Sequence, residues 1–190
     1  MLQIGQKIED FTLDIYYKDN FKSIKLSDFA KKNKWVVLFF YPADFTFVCP
    51  TELEDLAENY ATFKKLNTEI LSVSTDTKYV HKAWHDHSKA ISKVEYPMAA
   101  DPNGKLTKYL DIYLEDKGEA LRGTFIIDPD GVLQAVEVNS NNIGRNAGEL
   151  LRKLQAAQFV RENNGLEVCP AKWQPGAKTL KPGVNLVGKI

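Results

Sequence analysis

The chain has 190 residues and a mass of 21.5 kDa, the size of one ordinary domain. Hydrophobic residues make up 44% of it and charged residues 26%, which excludes a disordered or collagen-like chain. Its 25 basic residues are balanced by 25 acidic ones, so no nucleic-acid partner is expected.

Hydrophobic periodicity divides the chain into predicted strands and helices. Strands are predicted near residues 11–15, 24–26, 35–41, 70–73, 121–127 and 132–138. Helices are predicted from Ser27, from about residue 50 to 63, and over residues 80–87, 106–110 and 147–160. The run 35–41 is apolar on both faces, which is typical of a central, fully buried strand. The turn 128–131 between the last two strands predicts a hairpin.

The order of these elements defines the expected fold class. Alternation of strands and helices favours parallel pairing, and the hairpin adds antiparallel strands. We therefore predict an α/β fold with a mixed central sheet and helices on both faces. The thioredoxin fold has this order, although other α/β sheets share the pattern. From residue 163 onward, prolines and glycines predict an extended arm, residues 163–190.

The two cysteines, Cys49 and Cys169, point to thiol chemistry. The N-terminus has no basic start followed by a long apolar run, so no secretory signal is predicted. The longest apolar run has seven residues, far fewer than the roughly 20 of a membrane helix. We expect a cytoplasmic protein without a membrane partner, in which cysteines are more often reactive than structural.

Cys49 lies where the buried strand ends and a helix begins. Pro50 suits the first helical position, which predicts Cys49 as the N-cap and its sulfur near free backbone N–H groups that favour a thiolate. Glu52 falls where a capping box has its acid. Glu52, Glu54 and Asp55 crowd the first turn of the helix and disfavour another negative charge. A thiolate at Cys49 therefore needs a cation, and the candidates are Arg122 and Arg145.

Thr46, three residues before Cys49, is a candidate hydroxyl donor to a substrate. Arg122 occupies an apolar strand, where an arginine usually has an anionic partner. Spacing alone leaves an alternative open: Cys49 as a buried inert thiol and Arg122 as a surface residue of an edge strand.

Three motifs decide between these alternatives. Pro42, Thr46 and Cys49 follow the spacing PxxxTxxC, which overlaps the string DFTFVCPTE of residues 44–52. The strings RGTFIIDP of residues 122–129 and EVCPAKW of residues 167–173 follow in order. Together they resemble the motifs of typical 2-Cys peroxiredoxins over nearly the whole chain, and the ending LVGKI is similar to that of bacterial alkyl hydroperoxide reductases. The resemblance implies a peroxiredoxin-type thioredoxin fold.

The resemblance implies a role for each matching residue. Cys49 would attack the peroxide and become a sulfenic acid, and Cys169 of a partner subunit would resolve it as a disulfide. Thr46 and Arg122 would bind and activate the peroxide, and Pro42 would shield the site from water. Supporting roles fall to a second group: Glu52, Arg145, Tyr41 and Trp84.

The resemblance also implies the cofactors, partners and assembly. Sulfur carries the chemistry, so no haem, flavin or metal is expected as a cofactor. The substrates would be hydrogen peroxide and small organic hydroperoxides, and the reductant a flavoprotein disulfide reductase or a thioredoxin. Family members form homodimers that associate into decamers. The implied domains are a peroxidase domain of residues 1–162 and an arm of residues 163–190 with the resolving cysteine.

Two other functions are alternatives. Proteins of this kind can also act as holdase chaperones or peroxide-sensing relays. His81 and His85 lie four residues apart on one predicted helix, a spacing used in zinc sites. No third ligand is evident and His87 is predicted on the apolar face, so a solvated histidine face is favoured over a metal site.

Overall fold

The computed structural model describes residues 2–190. The strands are β1 Thr12–Tyr17, β2 Asn20–Lys25, β3 Trp35–Phe40, β4 Thr68–Ser74, β5 Met98–Ala100, β6 Tyr113–Leu114, β7 Glu119–Ala120, β8 Arg122–Ile127 and β9 Leu133–Asn139. The helices are α1 Ser27–Ala30, α2 Cys49–Lys65, α3 Lys78–His87, α4 Lys105–Tyr109 and α5 Ala147–Glu162, with two short 3-10 helices at Ile91–Lys93 and Val184–Leu186. The predicted elements are therefore present.

A seven-stranded sheet in the order β2-β1-β5-β4-β3-β8-β9 forms the centre of the fold. The strands β3, β4 and β5 are parallel, while the pairs on either side of them are antiparallel. This confirms the mixed sheet. Strand β3 is fully buried between β4 and β8, as its two-sided apolar sequence predicts.

Helices cover both faces of this sheet. Successive strand residues point to opposite faces, and Val36, Leu38 and Phe40 join a core cluster with Leu106 of α4 and Phe29 of α1. On the other face, α2 packs against β4 and α3 against β1 and β5. Strand β3 and helix α2, which flank the segment leading to Cys49, are thereby fixed by apolar packing on the sheet.

The described residues form two compact units, one up to Ala147 and one from Gly148 onward. The second unit contains most of α5 and the C-terminal segment. That segment is held together by an antiparallel bridge between Val168 and Leu180 and by the ring of Trp173 on that of Phe159. Among the described residues, no helix is long and apolar enough to cross a membrane.

The histidine face predicted for α3 is wrong. His81 is completely buried, whereas His87 is exposed and hydrogen-bonds to the carbonyl of Ala83 in its own helix. The inward face of the helix carries His81 and Trp84. Both ring nitrogens of the buried His81 have hydrogen-bond partners, the carboxyl group of Asp44 and the carbonyl of Ala99. Burial of the ring therefore leaves no hydrogen bond unmade.

Candidate active site

Cys49 is the first helical residue of α2 and its thiol is completely buried. The helix begins one residue earlier than predicted: Val48 is the N-cap, and its carbonyl accepts the N–H groups of Thr51 and Glu52. The prediction of Cys49 as the N-cap is therefore wrong. Pro50 lies at the second helical position, where its missing N–H leaves no bond unmade.

The guanidinium of Arg122 contacts the sulfur of Cys49. Its Nη1 lies 3.4 Å from Sγ, and its Nε donates to the carbonyl of Asn141 at 2.9 Å. The Arg122 side chain is only 3% exposed, so water screens this contact little. The alternative of Arg122 as a surface residue is excluded, because strand β8 is buried beside β3.

Glu52 holds both arginines in place. Its Oε2 accepts from Arg122 Nη1 at 2.6 Å and from Arg145 Nη2 at 3.0 Å, and its Oε1 accepts from the Nε of Arg145 at 2.9 Å. The capping-box geometry predicted for Glu52 does not form, because its carboxylate turns to the arginines. One carboxylate and two guanidinium groups leave a net positive charge in this cluster beside the sulfur of Cys49.

Every N–H donor of the Arg145 side chain has an acceptor. Besides Glu52, the guanidinium donates to the carbonyls of Gly123 and Phe40 and to the hydroxyl of Thr124, at 2.8 to 3.0 Å. It lies 3.4 Å above the centre of the Phe39 ring. Burial lowers the pKa of Arg145, and the bond to Glu52 opposes that shift. Sequence patterns do not predict Phe39 and Thr124 as partners of Arg145, because both residues are distant from it in the chain.

The loop of residues 42–48 carries Thr46 between β3 and Cys49. The hydroxyl of Thr46 donates its proton to the carbonyl of Ala43 at 2.8 Å, which leaves its oxygen able to accept a hydrogen bond. Pro42 is buried at the start of the loop. The remaining acids of the helix start have other partners, since Glu54 pairs with Lys93 and Asp55 accepts the N–H of Ala147.

Tyr41 and Trp84 lie behind this loop. Their rings are 6.0 Å apart, and the ring of Phe45 is also 6.0 Å from Trp84. The hydroxyl of Tyr41 donates to Asp44 at 2.7 Å. Burial, reinforced by the Asp44 carboxylate, raises the pKa of Tyr41 well above its usual range. Tyr41 is therefore a neutral hydrogen-bond donor. Within residues 2–190, no three metal-ligating side chains come together.

Cys169 belongs to the second unit. It is half-buried, and its Sγ lies 3.9 Å from the carbonyl of Ala156 in α5. Burial raises the pKa of the Cys169 thiol, and the positive charge of Arg152 opposes that rise. Cys169 is therefore held as a protonated thiol at neutral pH.

A buried cysteine beside an arginine, at a strand-to-helix corner of a thioredoxin-type sheet, is the arrangement that the resemblance to peroxiredoxins predicts. The model of the AhpC/TSA family matches residues 4–136, and the model described as the C-terminal domain of 1-Cys peroxiredoxin matches residues 156–187. The chain belongs to the AhpC/TSA family of thiol-dependent peroxidases.

Individual relatives match over all or nearly all of the chain. The chain is 55% identical to alkyl hydroperoxide reductase C of Staphylococcus epidermidis and 56% identical to that of Staphylococcus aureus, each over 100% of both chains. The crystal structure of Enterococcus faecalis AhpC matches with a TM-score of 0.85 at 49% identity, over 90% of this chain and 100% of that one. Reduced Plasmodium vivax 2-Cys peroxiredoxin matches with a TM-score of 0.89 at 34% identity, over 95% and 93%.

Proposed function

We propose that Cys49 reduces hydrogen peroxide and small organic hydroperoxides, and that Cys169 of a partner subunit resolves the oxidised cysteine. The observation that carries this proposal is the 3.4 Å contact between Arg122 Nη1 and Cys49 Sγ, inside a buried cluster of net positive charge. Such a cluster stabilises the thiolate and the negative charge that develops on the peroxide oxygen.

The first chemical step transfers one oxygen atom. The thiolate of Cys49 attacks the terminal oxygen of the hydroperoxide, the O–O bond breaks, and the sulfur becomes a sulfenic acid. The leaving alkoxide or hydroxide takes a proton and departs as alcohol or water. Arg122 donates to the reacting oxygens, and the Thr46 oxygen accepts a hydrogen bond from the O–H of the hydroperoxide, because the Thr46 hydroxyl itself donates to the carbonyl of Ala43. Pro42 excludes water, and Glu52 and Arg145 fix Arg122.

The second step forms the disulfide. Cys169 loses its proton, its thiolate attacks the sulfenic sulfur of Cys49 on the partner subunit, and the sulfenic hydroxyl takes up a proton and leaves as water. An external dithiol protein then reduces the disulfide to two thiols. We propose a flavoprotein disulfide reductase as that partner, as the ending LVGKI favours. Thioredoxin is the alternative, and supplying each reductant in turn while following NAD(P)H loss identifies the one that supports turnover.

The domains and the assembly belong to the same proposal. Residues 1–162 form the peroxidase domain and residues 163–190 the arm that brings Cys169 to a neighbour. Strand β9 is at one edge of the sheet and exposes Val136 and Val138, and an open apolar edge favours pairing with a second copy. A separate group of exposed aromatic residues offers a second contact between dimers, toward a decamer; its members are Phe21, Phe45, Phe47 and Tyr79.

A covalent dimer is the first expected result. After one equivalent of hydrogen peroxide, non-reducing electrophoresis is expected to show a band of twice the monomer mass. The Cys169→Ser variant is the matched control, and it is expected to remain monomeric while Cys49 is oxidised. A monomeric wild-type band that has lost both thiols would instead show a disulfide within one chain.

The second expected result is a pH dependence of disulfide formation. The thiolate of Cys169 is the attacking form, and burial raises the pKa of this thiol. The rate of disulfide formation from the sulfenic acid should therefore rise by about tenfold per pH unit from neutral pH until the raised pKa is passed. Stopped-flow fluorescence between pH 6.5 and 8.5 measures it.

Arg152→Gln is the matched variant for this measurement. The positive charge of Arg152 lowers the pKa of Cys169. Removing this charge is therefore expected to slow disulfide formation at every pH in this range. A rate that does not change with pH would contradict attack by the Cys169 thiolate as the limiting step.

A further inference from the structure

A buried group of polar side chains lies behind the loop of residues 42–48. The ring of His81 has its Nδ1 2.8 Å from Asp44 Oδ2 and its Nε2 3.1 Å from the carbonyl oxygen of Ala99. A carbonyl oxygen only accepts, so Nε2 carries a proton, and a second proton lies between Nδ1 and the Asp44 carboxyl. The side chains of His81 and Asp44 are fully buried. Removing one partner of a buried pair like this strongly destabilises the local structure.

Asp44 is held from several directions. Its Oδ1 accepts from the hydroxyl of Tyr41 at 2.7 Å, and its backbone N–H donates to Asp76 at 2.8 Å. Asp76 is in turn fixed by the hydroxyl of Ser74 at 2.8 Å. Burial raises the pKa of Asp44, and the hydrogen bond and charge of His81 oppose that rise. The carboxyl group of Asp44 therefore depends on His81 for its second hydrogen-bond partner.

The loop that Asp44 anchors has a strained backbone. Phe45, the next residue, has a φ of 56°, a left-handed conformation that is strained for a bulky residue. Such a conformation persists only when its surroundings impose it. Thr46 follows directly, so its orientation depends on the residues that hold Asp44 and Phe45.

We propose that His81 is a positioning residue for the peroxide reaction. Through Asp44 it holds the loop of residues 42–48 in the conformation that presents Thr46 to the hydroperoxide, and it does not touch the substrate. This inference rests on the proposed function, because it assumes that Thr46 binds the hydroperoxide that Cys49 attacks. It predicts that His81 affects the reaction with peroxide more than other reactions of the Cys49 thiolate.

Two reactions of Cys49 separate this role from a purely structural one. Stopped-flow fluorescence gives the second-order rate constant of Cys49 with hydrogen peroxide, a reaction that needs Thr46 to bind the peroxide. Alkylation by iodoacetamide at the same pH needs only the thiolate. His81→Leu is expected to slow the peroxide reaction by about 10- to 100-fold and to change the alkylation rate by less than about threefold.

Variants that keep one hydrogen bond provide the controls. The amide of His81→Asn can place an N–H where Nδ1 is and donate to Asp44, so this variant should stay within about threefold of the wild-type peroxide rate. His81→Gln reaches toward Ala99 instead and should be slowed like His81→Leu; this pair keeps the test intact if the Leu variant fails to fold. His87→Leu, on the exposed side of α3, should change neither rate.

A double-mutant cycle with Thr46→Val tests the path of the effect. If His81 acts through Thr46, the loss caused by His81→Gln should nearly disappear in the Thr46→Val background. Equal slowing of both reactions, equal rates for the Asn and Gln variants, or additive losses in the cycle would overturn the inference. A wild-type protein that does not react with peroxide would contradict the proposed function itself.

Discussion

The Arg122→Met variant is expected to react with hydrogen peroxide about 100- to 1,000-fold more slowly than the wild type, the usual loss when one donor to a developing oxyanion is removed. Arg122 is the cation whose Nη1 contacts the Cys49 sulfur. Without it, Glu52 keeps one arginine, Arg145, and the net charge beside the thiol falls from positive to zero. Both the thiolate and the transition state then lose their stabilising cation.

The measurement is the second-order rate constant of the reduced protein with hydrogen peroxide at pH 7. Arg122→Lys is the matched control, since it keeps the charge but cannot bond to both Asn141 and Glu52 as the guanidinium does. An intermediate rate is expected for it. A near-normal rate for Arg122→Met, with the fold intact, would show that another group stabilises the reacting oxygens.

The Glu52→Gln variant is expected to lower the free energy of unfolding by about 3–5 kcal/mol, because it leaves two buried guanidinium groups without their shared counter-charge. The Glu52 side chain is 1% exposed and those of both arginines are 3% exposed. For a chain of this length the loss corresponds to a fall in Tm of roughly 10 °C. Urea denaturation of the reduced protein measures the free energy directly.

Glu54→Gln, two residues further along the same helix, is the matched control. Glu54 pairs with Lys93, but these side chains are 33% and 51% exposed. An exposed pair contributes about 0–1 kcal/mol, so this variant should unfold nearly like the wild type. If Glu52→Gln were no less stable than Glu54→Gln, the buried arginine cluster would not stabilise the active-site corner.

Hydrophobic periodicity predicts many of the strands and helices, because the apolar residues that each element buries leave a pattern in its own sequence. The two-sided apolar run of β3 and the apolar spacing in α2 each carry their own signal. Strand β5 is not predicted because its three residues are too few to show a pattern; its pairing with β1 and β4 comes from the sheet around it. The predicted start of α2 is one residue late because the backbone carbonyl of Val48 begins the helix without a side-chain cap.

The sequence motifs select the residues of the candidate site but do not predict the contacts between them. The motifs select Cys49 and Arg122, which are far apart in the chain, and the antiparallel pairing of β3 with β8 brings their elements together. Helix-capping rules, which use only neighbouring residues, assign Glu52 to a capping box. In the structure the guanidinium groups of Arg122 and Arg145, distant in the chain, bind its carboxylate more strongly than a backbone N–H would. Helical spacing places His81 on a solvated face because it carries no information about acceptors such as the Ala99 carbonyl.

Single-turnover peroxide consumption by the two serine variants tests the central claim most directly. Each reduced protein is mixed with a slight excess of hydrogen peroxide in the absence of reductant, and the remaining peroxide is measured. The account predicts that Cys169→Ser rapidly consumes about one equivalent per subunit, since Cys49 alone forms the sulfenic acid. Cys49→Ser should consume almost none. Rapid consumption by Cys49→Ser would contradict the assignment of Cys49 as the residue that attacks the peroxide.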